Sequence, residues 1–537
     1  MVTSSDVVAS IHPGPAAGAV SDRRAMLAAR TLRVLSAVLL GGLCLVIAGS
    51  VLAFGSVYIW AHPPLFYATG VLVLIALARI ATILYLRRRL GRSRFAFHSS
   101  GRWLALDVEE PYGIRTWSFD LDRPLVPIPP LVLPGVLFVV WVVIQMIPLP
   151  PTLVDAISGA EVLPGAEPTT AWRTVTISMR QTTIGLTFLC WAIVLHLVAA
   201  VALSRHDDQK RFRRFIAVLG MVLGAYGLIQ MATGTRLVYW FWKPRQGQGE
   251  FIFGPFINRD HFGFYMLMVT PIAFGLVAEA YRRYRHRVGA RANLRRRMVT
   301  LSSPPGLSLL YATVPALAAA GALIATTSRG ALLAFLGSLA VAAFFLARRR
   351  GAAAGVIAVL LTLAVLSWFG LARIHQRMNA AARDASGRTV VWEDTLQRMG
   401  GRWVGGSGLN TFDRAMSGAT AWALPEGASP MSGPYETSFV GLPHAGYRFI
   451  KDAPGMFWYG QAHNDYVQIL AETGAVGLLL MVWAFGRALV SVRSDPWLLL
   501  ALLAPALHAF LDFGFQLPAV VALFVSIAAI KPHGPRG

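Results

Sequence analysis

Charged residues are scarce in this sequence, and acidic residues are rarer than basic ones. Only 14% of the 537 residues are charged, whereas 55% are hydrophobic, and the mean hydropathy is +0.55. A soluble chain of this length could not hide so much apolar surface in one core, because its outer helices would need polar faces. The composition therefore predicts an integral membrane protein.

Cysteine is nearly absent. Cys44 and Cys190 are the two cysteines, and each lies inside an apolar run, which excludes a disulfide framework and a cysteine-based metal site. The sequence also lacks the alternating ten-residue segments of a transmembrane β-barrel. Helices are therefore expected to span the membrane.

Twelve apolar runs are long enough, or nearly so, to cross a bilayer as helices. The predicted fold class is thus an all-α integral membrane protein with about twelve transmembrane helices. The runs cover residues 34–54, 65–86, 131–147, 183–203, 215–231, 262–280, 307–326, 331–347, 352–372, 467–485, 497–511 and 518–530.

The basic residues indicate the orientation of these spans. With a cytoplasmic N-terminus, roughly two-thirds of the Lys and Arg side chains fall in cytoplasmic segments, as the positive-inside rule requires. The net charge of +23 is therefore interpreted as a topology signal, and no nucleic-acid partner is expected. Both termini are predicted to be cytoplasmic.

The same pattern divides the chain into four parts. Residues 1–33 are expected to be a disordered cytoplasmic N-terminus, and residues 34–372 to hold spans one to nine, with a cytoplasmic insert at about 87–124. Residues 373–462 should form one large outside loop. Residues 463–537 contain the last three spans and a short cytoplasmic tail.

The large loop breaks the charge pattern, because it carries many basic residues outside. The planar fork of arginine matches phosphate oxygens, so this group predicts an anion site. The alternative is a solvated helix that lies on anionic lipid headgroups. The residues are Arg373, Arg377, Arg383, Arg388, Arg398, Arg402, Arg414, Arg448 and Lys451. A glycine-rich stretch at 405–412 is expected to be a flexible turn.

The loop ends directly before the tenth span. Asn464 or Asp465 could cap that helix, and His463 would lie at its positive end, where neutral imidazole is favoured. His463 is therefore a candidate general base. His508 and Asp512 are four residues apart and are interpreted as a structural polar pair.

Two further outside turns carry arginine. In residues 327–330, Arg329 either snorkels to the membrane interface or binds an anion. In residues 253–261, Asn258, Arg259 and His261 could bind sugar or phosphate, or could cap and anchor the sixth span.

Taken together, these stretches resemble the O-antigen ligase and polymerase superfamily of bacterial membrane glycosyltransferases. At position 260 the chain departs from the family pattern, because Asp stands where related proteins often have Asn. The stretches that carry the resemblance are 54–55, 148–150, 328–330, 388–392, 406–412, 463–468, Glu472, Gly474 and 512–518.

The resemblance implies a GT-C-like enzyme of the bacterial inner (cytoplasmic) membrane, with its large loop and its active site facing the periplasm. It implies transfer of a glycan from an undecaprenyl-diphosphate carrier to the hydroxyl of a glycan or lipid acceptor. His463 would be the catalytic base. The substrate-binding residues would be Arg388, Arg329, Arg259 and Asn464.

No cofactor and no metal are expected. Metal-dependent enzymes of the oligosaccharyltransferase type place acidic residues in the first outside loop, and residues 55–64 contain none. Besides a ligase, two functions stay open: a polymerase that joins repeat units on the same carrier, and a multi-span transporter. A transporter would need several charged residues within its spans, whereas Arg79 is the only basic residue predicted there.

Overall fold

The computed structural model of this protein is predominantly helical. It describes residues 9–12, 18–19, 23–89, 103–110, 113–121, 124–125, 128–159, 172–244, 251–289, 292–350, 388–389, 391–417 and 460–531. The ninth predicted span, at 352–372, and most of the large loop lie outside the described residues.

The helices are numbered in chain order. They are α1 (Arg23–Leu52), α2 (His62–Arg89), α3 (Val132–Met146), α4 (Pro151–Ser158), α5 (Met179–Ala202), α6 (His206–Ala232), α7 (Arg259–Val288), α8 (Leu294–Leu301), α9 (Pro304–Ala325), α10 (Arg329–Arg350), α11 (Phe412–Ser417), α12 (Asp465–Val492), α13 (Pro496–His508) and α14 (Pro518–Ala528). Residues 391–398 are also helical.

Eleven of these helices coincide with eleven of the twelve predicted spans. Seven of them (α1, α2, α5, α6, α7, α9 and α12) are long and apolar enough to cross a bilayer, and α3, α10, α13 and α14 are shorter apolar helices. The chain is therefore a multi-pass membrane protein, while the count of twelve spans stays a prediction.

The first helix starts earlier than the composition suggests. Residues 23–33, which were expected to be disordered, form the first turns of α1. Ala25, Ala29 and Leu32 pack there against Ile83 and Leu86 of α2. Their helical spacing gives the segment an apolar face, so its arginines do not prevent helix formation.

A small antiparallel sheet accompanies the helices. Its strands β1 (Ala9–His12), β2 (Gly18–Ala19), β3 (Trp103–Glu110) and β4 (Gly113–Asp120) lie in the order β2-β1-β3-β4. The predicted insert at 87–124 thus contains a hairpin. The N-terminal segment that was expected to be disordered adds two strands to it, since Ser10 pairs with Ala105. The all-α prediction therefore holds for the spanning helices but not for the insert.

α7 lies at the centre of the bundle. It packs on α6, α9 and α13, while α10 packs on α13, and α12 packs on α3 and α13. The N-termini of α7, α10 and α12 consequently meet the connection between α13 and α14.

Arg79 is accommodated inside the bundle by polar contacts. Its Nε donates to Ser36 Oγ of α1 and its Nη2 donates to Ser204 Oγ, each at 3.0 Å. Asp208 of α6 lies close enough to act on Arg79 electrostatically, and Arg205 pairs with this carboxylate at 3.2 Å. These contacts link α1, α2 and the connection between α5 and α6, so Arg79 has a structural explanation.

Candidate active site

The turn between α13 and α14, residues 509–517, is the meeting point of the candidate site. The first turn of α7 reaches it through His261, whose ring centroid lies 4.9 Å from that of Phe513. α12 starts beside it, because the amide of Asp465 donates to the carbonyl of Ala509 at 2.8 Å. Two helix N-termini therefore contact this turn.

The N-terminus of α10 is the third helix N-terminus at this turn. A Cβ added at Gly330 would lie 3.0 Å from His508 Nε2 and 3.5 Å from Leu511 Cβ. A Cβ added at Gly263 of α7 would lie 3.4 Å from Ser328 Cβ. Glycine at both positions thus allows α7, α10 and the end of α13 to approach one another closely.

His463 precedes α12 and faces a carboxylate. Its Nδ1 lies 3.3 Å from Oδ1 of Asp512, and the His463 side chain is 19% exposed whereas that of Asp512 is 2% exposed. The ring of Phe513 packs edge-on against the imidazole at 4.8 Å. His463 has a φ of 50°, a left-handed conformation that is strained for a residue with a side chain and is often found at functional sites.

The environment keeps Asp512 ionised. Burial alone would raise the pKa of this carboxyl, but the His463 side chain, the positive potential of His261 and the charge of Arg388 outweigh burial and lower its pKa. Asp512 is therefore a buried carboxylate that holds its negative charge beside the imidazole of His463.

The predicted polar pair of His508 with Asp512 is not a hydrogen bond, although the charge of Asp512 acts on His508. The Asp512 amide donates to the His508 carbonyl at 3.1 Å, but the carboxylate lies beside His463. The His508 ring packs edge-on against Phe264 of α7 at 4.9 Å. Helical spacing suggested the pair, yet α13 ends at His508, so residue 512 does not share its helix face.

Asn464 caps α12. Its Oδ1 accepts from the amides of Tyr466 at 3.0 Å and Val467 at 3.2 Å, which is the geometry of an N-cap. Asp465 Oδ2 accepts from the amide of Phe515 at 3.0 Å. Both side chains thus fasten the start of α12, and substrate binding by Asn464 stays a prediction.

Arg388 reaches the site from the large loop. Its Nη1 donates to the carbonyl of Leu511, directly before Asp512. Trp392 Nε1 donates to the carbonyl of Ala462 at 2.9 Å, which ties the helical residues 391–398 to the segment that carries His463. The structure therefore brings Arg388 and His463 to the same turn.

Another arginine of the large loop, Arg398, contacts the loop backbone. Arg398 donates to the Met416 carbonyl at 2.9 Å and so holds the loop itself together. The predicted anion ligands at 373, 377, 383, 448 and 451 lie outside the described residues.

Arg259 and Arg329 lie at the N-termini of α7 and α10. Arg259 Nη1 donates to Thr327 Oγ1 at 3.4 Å, and its guanidinium carbon lies 5.9 Å from the ring centroid of Phe251. Arg329 is exposed, two residues after Thr327, whose φ is 53°. The two arginines thus flank the same strained turn, and Arg329 is accessible to an anion.

Three helix N-termini add positive potential to the arginines. Asn258 caps α7, because its Oδ1 accepts from the Asp260 amide at 2.8 Å, and Ser328 Oγ accepts from the Ala331 amide at 3.3 Å in α10. The first amides of a helix carry a partial positive charge that attracts anions. Chemically, the arrangement suits a phosphorylated substrate next to an imidazole–carboxylate pair.

The glycine-rich residues 405–412 form a docked segment, contrary to the flexible turn expected from their composition. Glu472 of α12 accepts from the Asn410 amide at 2.7 Å, from the Phe412 amide at 3.4 Å and from Gln468 Nε2 at 3.1 Å. One buried carboxylate therefore fixes this part of the loop to the helix that begins at the site.

Gly474 makes the docking sterically possible. It interrupts α12 with a φ of 65°, and the next amide, of Ala475, donates to the Trp403 carbonyl at 2.7 Å. A side chain at Gly474 would overlap the carbonyl of Val404. Position 474 thus requires glycine, because the backbone of Val404 lies too close for a side chain.

Gln145 of α3 completes the docking site and was missed by the sequence reasoning. Its Nε2 donates to the carbonyls of Gly405 at 2.7 Å and Glu472 at 3.0 Å, and its Oε1 accepts from the Leu409 amide at 3.3 Å. A buried amide side chain in an apolar span needs polar partners. The presence of a glutamine within the third predicted span was therefore the signal in the sequence that could have identified Gln145.

A mainly apolar cavity of about 220 Å³ lies next to the start of α12. It is bounded by α3, α5, α12 and α14, with Asp465, Gln468 and Glu472 in its wall. Within the described residues, no group of three or more His, Cys, Asp and Glu side chains could hold a metal ion. Metal independence stays a prediction.

Comparison with protein families agrees with the resemblance in the sequence. Residues 314–482 match the family model described as O-antigen ligase; this range contains Arg329, Arg388, His463 and Asn464 but neither Arg259 nor Asp512. A comparison with curated proteins gave no match. The resemblance to the O-antigen ligase superfamily is therefore confirmed over residues 314–482 of this multi-pass membrane protein, and the matched family indicates a ligase-type function in polysaccharide biosynthesis.

Proposed function

We propose that the chain transfers a glycan from an undecaprenyl-diphosphate carrier to an acceptor hydroxyl at the periplasmic face of the inner membrane, without a metal ion. The observation that supports this most is the His463–Asp512 pair, 3.3 Å apart, on a turn that also receives Arg388. A base beside a cationic group is what glycosyl transfer from a diphosphate requires.

His463 acts as the general base in this proposal. The nearby Asp512 carboxylate favours the proton on Nδ1 and thereby leaves the lone pair of Nε2 for the acceptor. As Nε2 takes the hydroxyl proton, the acceptor oxygen bonds to the anomeric carbon and the bond from that carbon to the diphosphate oxygen breaks. Asp512 stabilises the imidazolium that forms, and so acts as a positioning residue.

The leaving diphosphate keeps the electron pair of the broken bond. Arg388 reaches the turn that carries Asp512 through its contact with the Leu511 carbonyl. Arg329 and Arg259 approach from the N-termini of α10 and α7, whose amides add partial positive charge. The anion thus forms where cations are already fixed, which lowers the barrier without reorganisation.

The cavity beside α12 gives the carrier a place within the bundle. Its wall is mostly apolar, which suits part of a hydrocarbon chain, while Asp465, Gln468 and Glu472 in that wall lie on the turns of α12 that follow His463. A carrier bound there would bring its diphosphate toward the start of α12. The acceptor hydroxyl would then approach from the exposed side of His463.

The test is complementation of a deletion strain, read out as the surface polysaccharide profile. We expect His463→Ala and Arg388→Ala to reach the membrane at normal levels and fail to restore the profile. His286→Ala and Arg282→Ala are matched controls, because both residues lie exposed near the other end of α7. These controls should complement fully.

An assay with the purified protein would separate an effect on the orientation of His463 from an effect on protein folding. Asp512→Asn should lower the transfer rate by about 100-fold or more, since general-base catalysis contributes roughly 10²–10⁴, while lipid-linked donor binding changes little. Accumulation of long lipid-linked chains in the cells indicates a ligase; accumulation of single repeat units would instead indicate a polymerase. Full complementation by His463→Ala would overturn the proposal.

A further inference from the structure

An aromatic cluster next to the site has no role in the proposed chemistry. Phe54, part of the Phe-Gly stretch that resembles the family, lies at its centre. Its ring centroid is 5.4 Å from Tyr58, 6.2 Å from Trp60, 5.5 Å from Tyr239 and 5.4 Å from Trp242. The cluster joins the segment between α1 and α2 to the segment after α6.

Part of this cluster faces outward and is called the aromatic platform here. It consists of Trp60 (55% exposed), Trp240 (43%) and Phe241 (75%). Tyr239 packs against it: its ring stacks on Phe241 with a centroid distance of 6.0 Å and on Tyr226 with a centroid distance of 5.5 Å. Exposed aromatic groups of this size usually mark a binding surface.

The platform is rigidly held. Trp240 Nε1 donates to Thr233 Oγ1 at 3.2 Å, Trp242 Nε1 donates to Tyr58 OH at 3.2 Å, and the Tyr239 hydroxyl donates to the Leu52 carbonyl. These hydrogen bonds hold the indole ring of Trp240 and the residues that support the platform in defined orientations.

Backbone strain fixes the rings further. Phe54, Ser56, Tyr239 and Trp240 all have φ between 56° and 62°, and each such residue is strained. Strain of this kind persists where the surrounding structure imposes one orientation, as at ligand-binding sites. An aromatic membrane anchor needs only to reach a certain depth in the lipid, and its ring needs no fixed orientation. The strained backbone therefore favours a binding surface over an anchor.

The aromatic cluster packs on the segment that precedes α7 and the candidate active site. A Cβ at Gly55 would lie 2.6 Å from Phe256, so the Phe54 turn packs directly on the segment before α7. In that segment Phe251 is 48% exposed and lies below the guanidinium of Arg259. A chain held at the diphosphate site could therefore extend toward the platform.

We propose that the aromatic platform binds the sugar chain of the lipid-linked donor by stacking pyranose rings on Trp60, Trp240 and Phe241. The apolar C–H faces of sugars pack on aromatic rings much as nucleobases do, and the contact tolerates different sequences because every ring offers a face. This inference rests on the proposed function, and it assigns the polysaccharide itself, beyond the diphosphate, to a defined surface.

The experiment measures binding of the cell's own surface polysaccharide, released from its lipid by mild acid, to the full-length protein in nanodiscs. We expect Trp60→Ala/Phe241→Ala to raise the dissociation constant about tenfold or more, which corresponds to 1.4 kcal/mol. Trp60→Phe should keep most of the affinity. Tyr67→Ala is the matched control, because this α2 tyrosine is 77% exposed but lies outside the cluster, and its affinity should equal that of the wild type.

A second measurement addresses the membrane interface, where exposed Trp is also common. The contribution of Trp60 to quenching by brominated phospholipids is obtained from the difference between wild type and Trp60→Phe, and we expect it to be small. Strong quenching together with unchanged glycan affinity in the double variant would overturn the inference in favour of a lipid anchor.

The outcome is separable from that of the proposed function, because binding requires no turnover. If His463→Ala still supports transfer but the double variant loses the polysaccharide, the catalytic proposal fails and the platform stands. If the wild type does not bind the released polysaccharide, the platform inference fails whatever His463 does.

Discussion

Replacing Glu472 by glutamine tests how the large loop is held over the site. The carboxylate is 4% exposed and accepts three hydrogen bonds, two of them from the amides of Asn410 and Phe412. Glutamine offers one oxygen in place of two and turns an NH₂ group toward a backbone donor. One amide of the loop therefore loses its acceptor.

The expected cost follows from these contacts. A hydrogen bond contributes about 0.5–1.5 kcal/mol, and a buried donor left without a partner carries a penalty of about 1–3 kcal/mol. We expect Glu472→Gln to destabilise the docked state of residues 405–412 by about 2–3 kcal/mol. The loop should then open roughly 30- to 150-fold more often.

Hydrogen–deuterium exchange of the peptide that covers residues 403–417 measures this opening. The matched control is Glu279→Gln, because Glu279 forms a partly exposed pair with Arg283 in α7 at 2.6 Å, where about 0.5 kcal/mol or less is expected. Exchange of the loop at the wild-type rate in Glu472→Gln would refute the role given to this carboxylate. A lower melting temperature with unchanged loop exchange would place the effect in α12 instead.

Three further variants probe other parts of the structure. Gly474→Ala should displace residues 403–406, since its side chain overlaps the Val404 carbonyl, and should increase protease cleavage there; wild-type resistance would contradict this. Arg79→Ala should cost about 3 kcal/mol through loss of the Ser36 and Ser204 bonds, seen as a lower melting temperature than in Arg282→Ala. Burial raises the pKa of Asp413, so wild-type stability falls as pH rises from about 4 through this raised pKa. Asp413→Asn should therefore melt higher than wild type at pH 8, with a smaller advantage near pH 4; an equal difference at both pH values would contradict it.

Local signals predicted much of the fold and part of the site. Run length was enough to find eleven apolar helices, seven of them long enough to cross a membrane, and the His463 segment was correctly expected to precede a helix. Asn464 was recognised as a possible cap because an N-cap is decided by neighbours two or three residues away. Local sequence therefore predicts what local contacts determine.

Partners that are distant along the chain were beyond this reasoning. Asp512 was assigned to His508 by helical spacing, whereas its carboxylate meets His463 through the packing of α12 on α13. Gln145 and Glu472 hold the same loop segment although they lie on different helices. Without homologous sequences, such pairs follow only from tertiary packing. A buried charge in an apolar segment signals that a partner exists but does not identify it.

The docking of residues 405–412 has a consequence for biogenesis. Asn410 meets its Glu472 acceptor 62 residues later in the chain, and at 5–20 residues per second the ribosome needs roughly 3–12 seconds to make that interval. Until α12 has been synthesised, this loop segment can hydrogen-bond to Gln145 of α3 but not to the Glu472 carboxylate. The candidate site is thus completed late in synthesis, and a chain that stalls before α12 leaves residues 405–412 without their Glu472 acceptor.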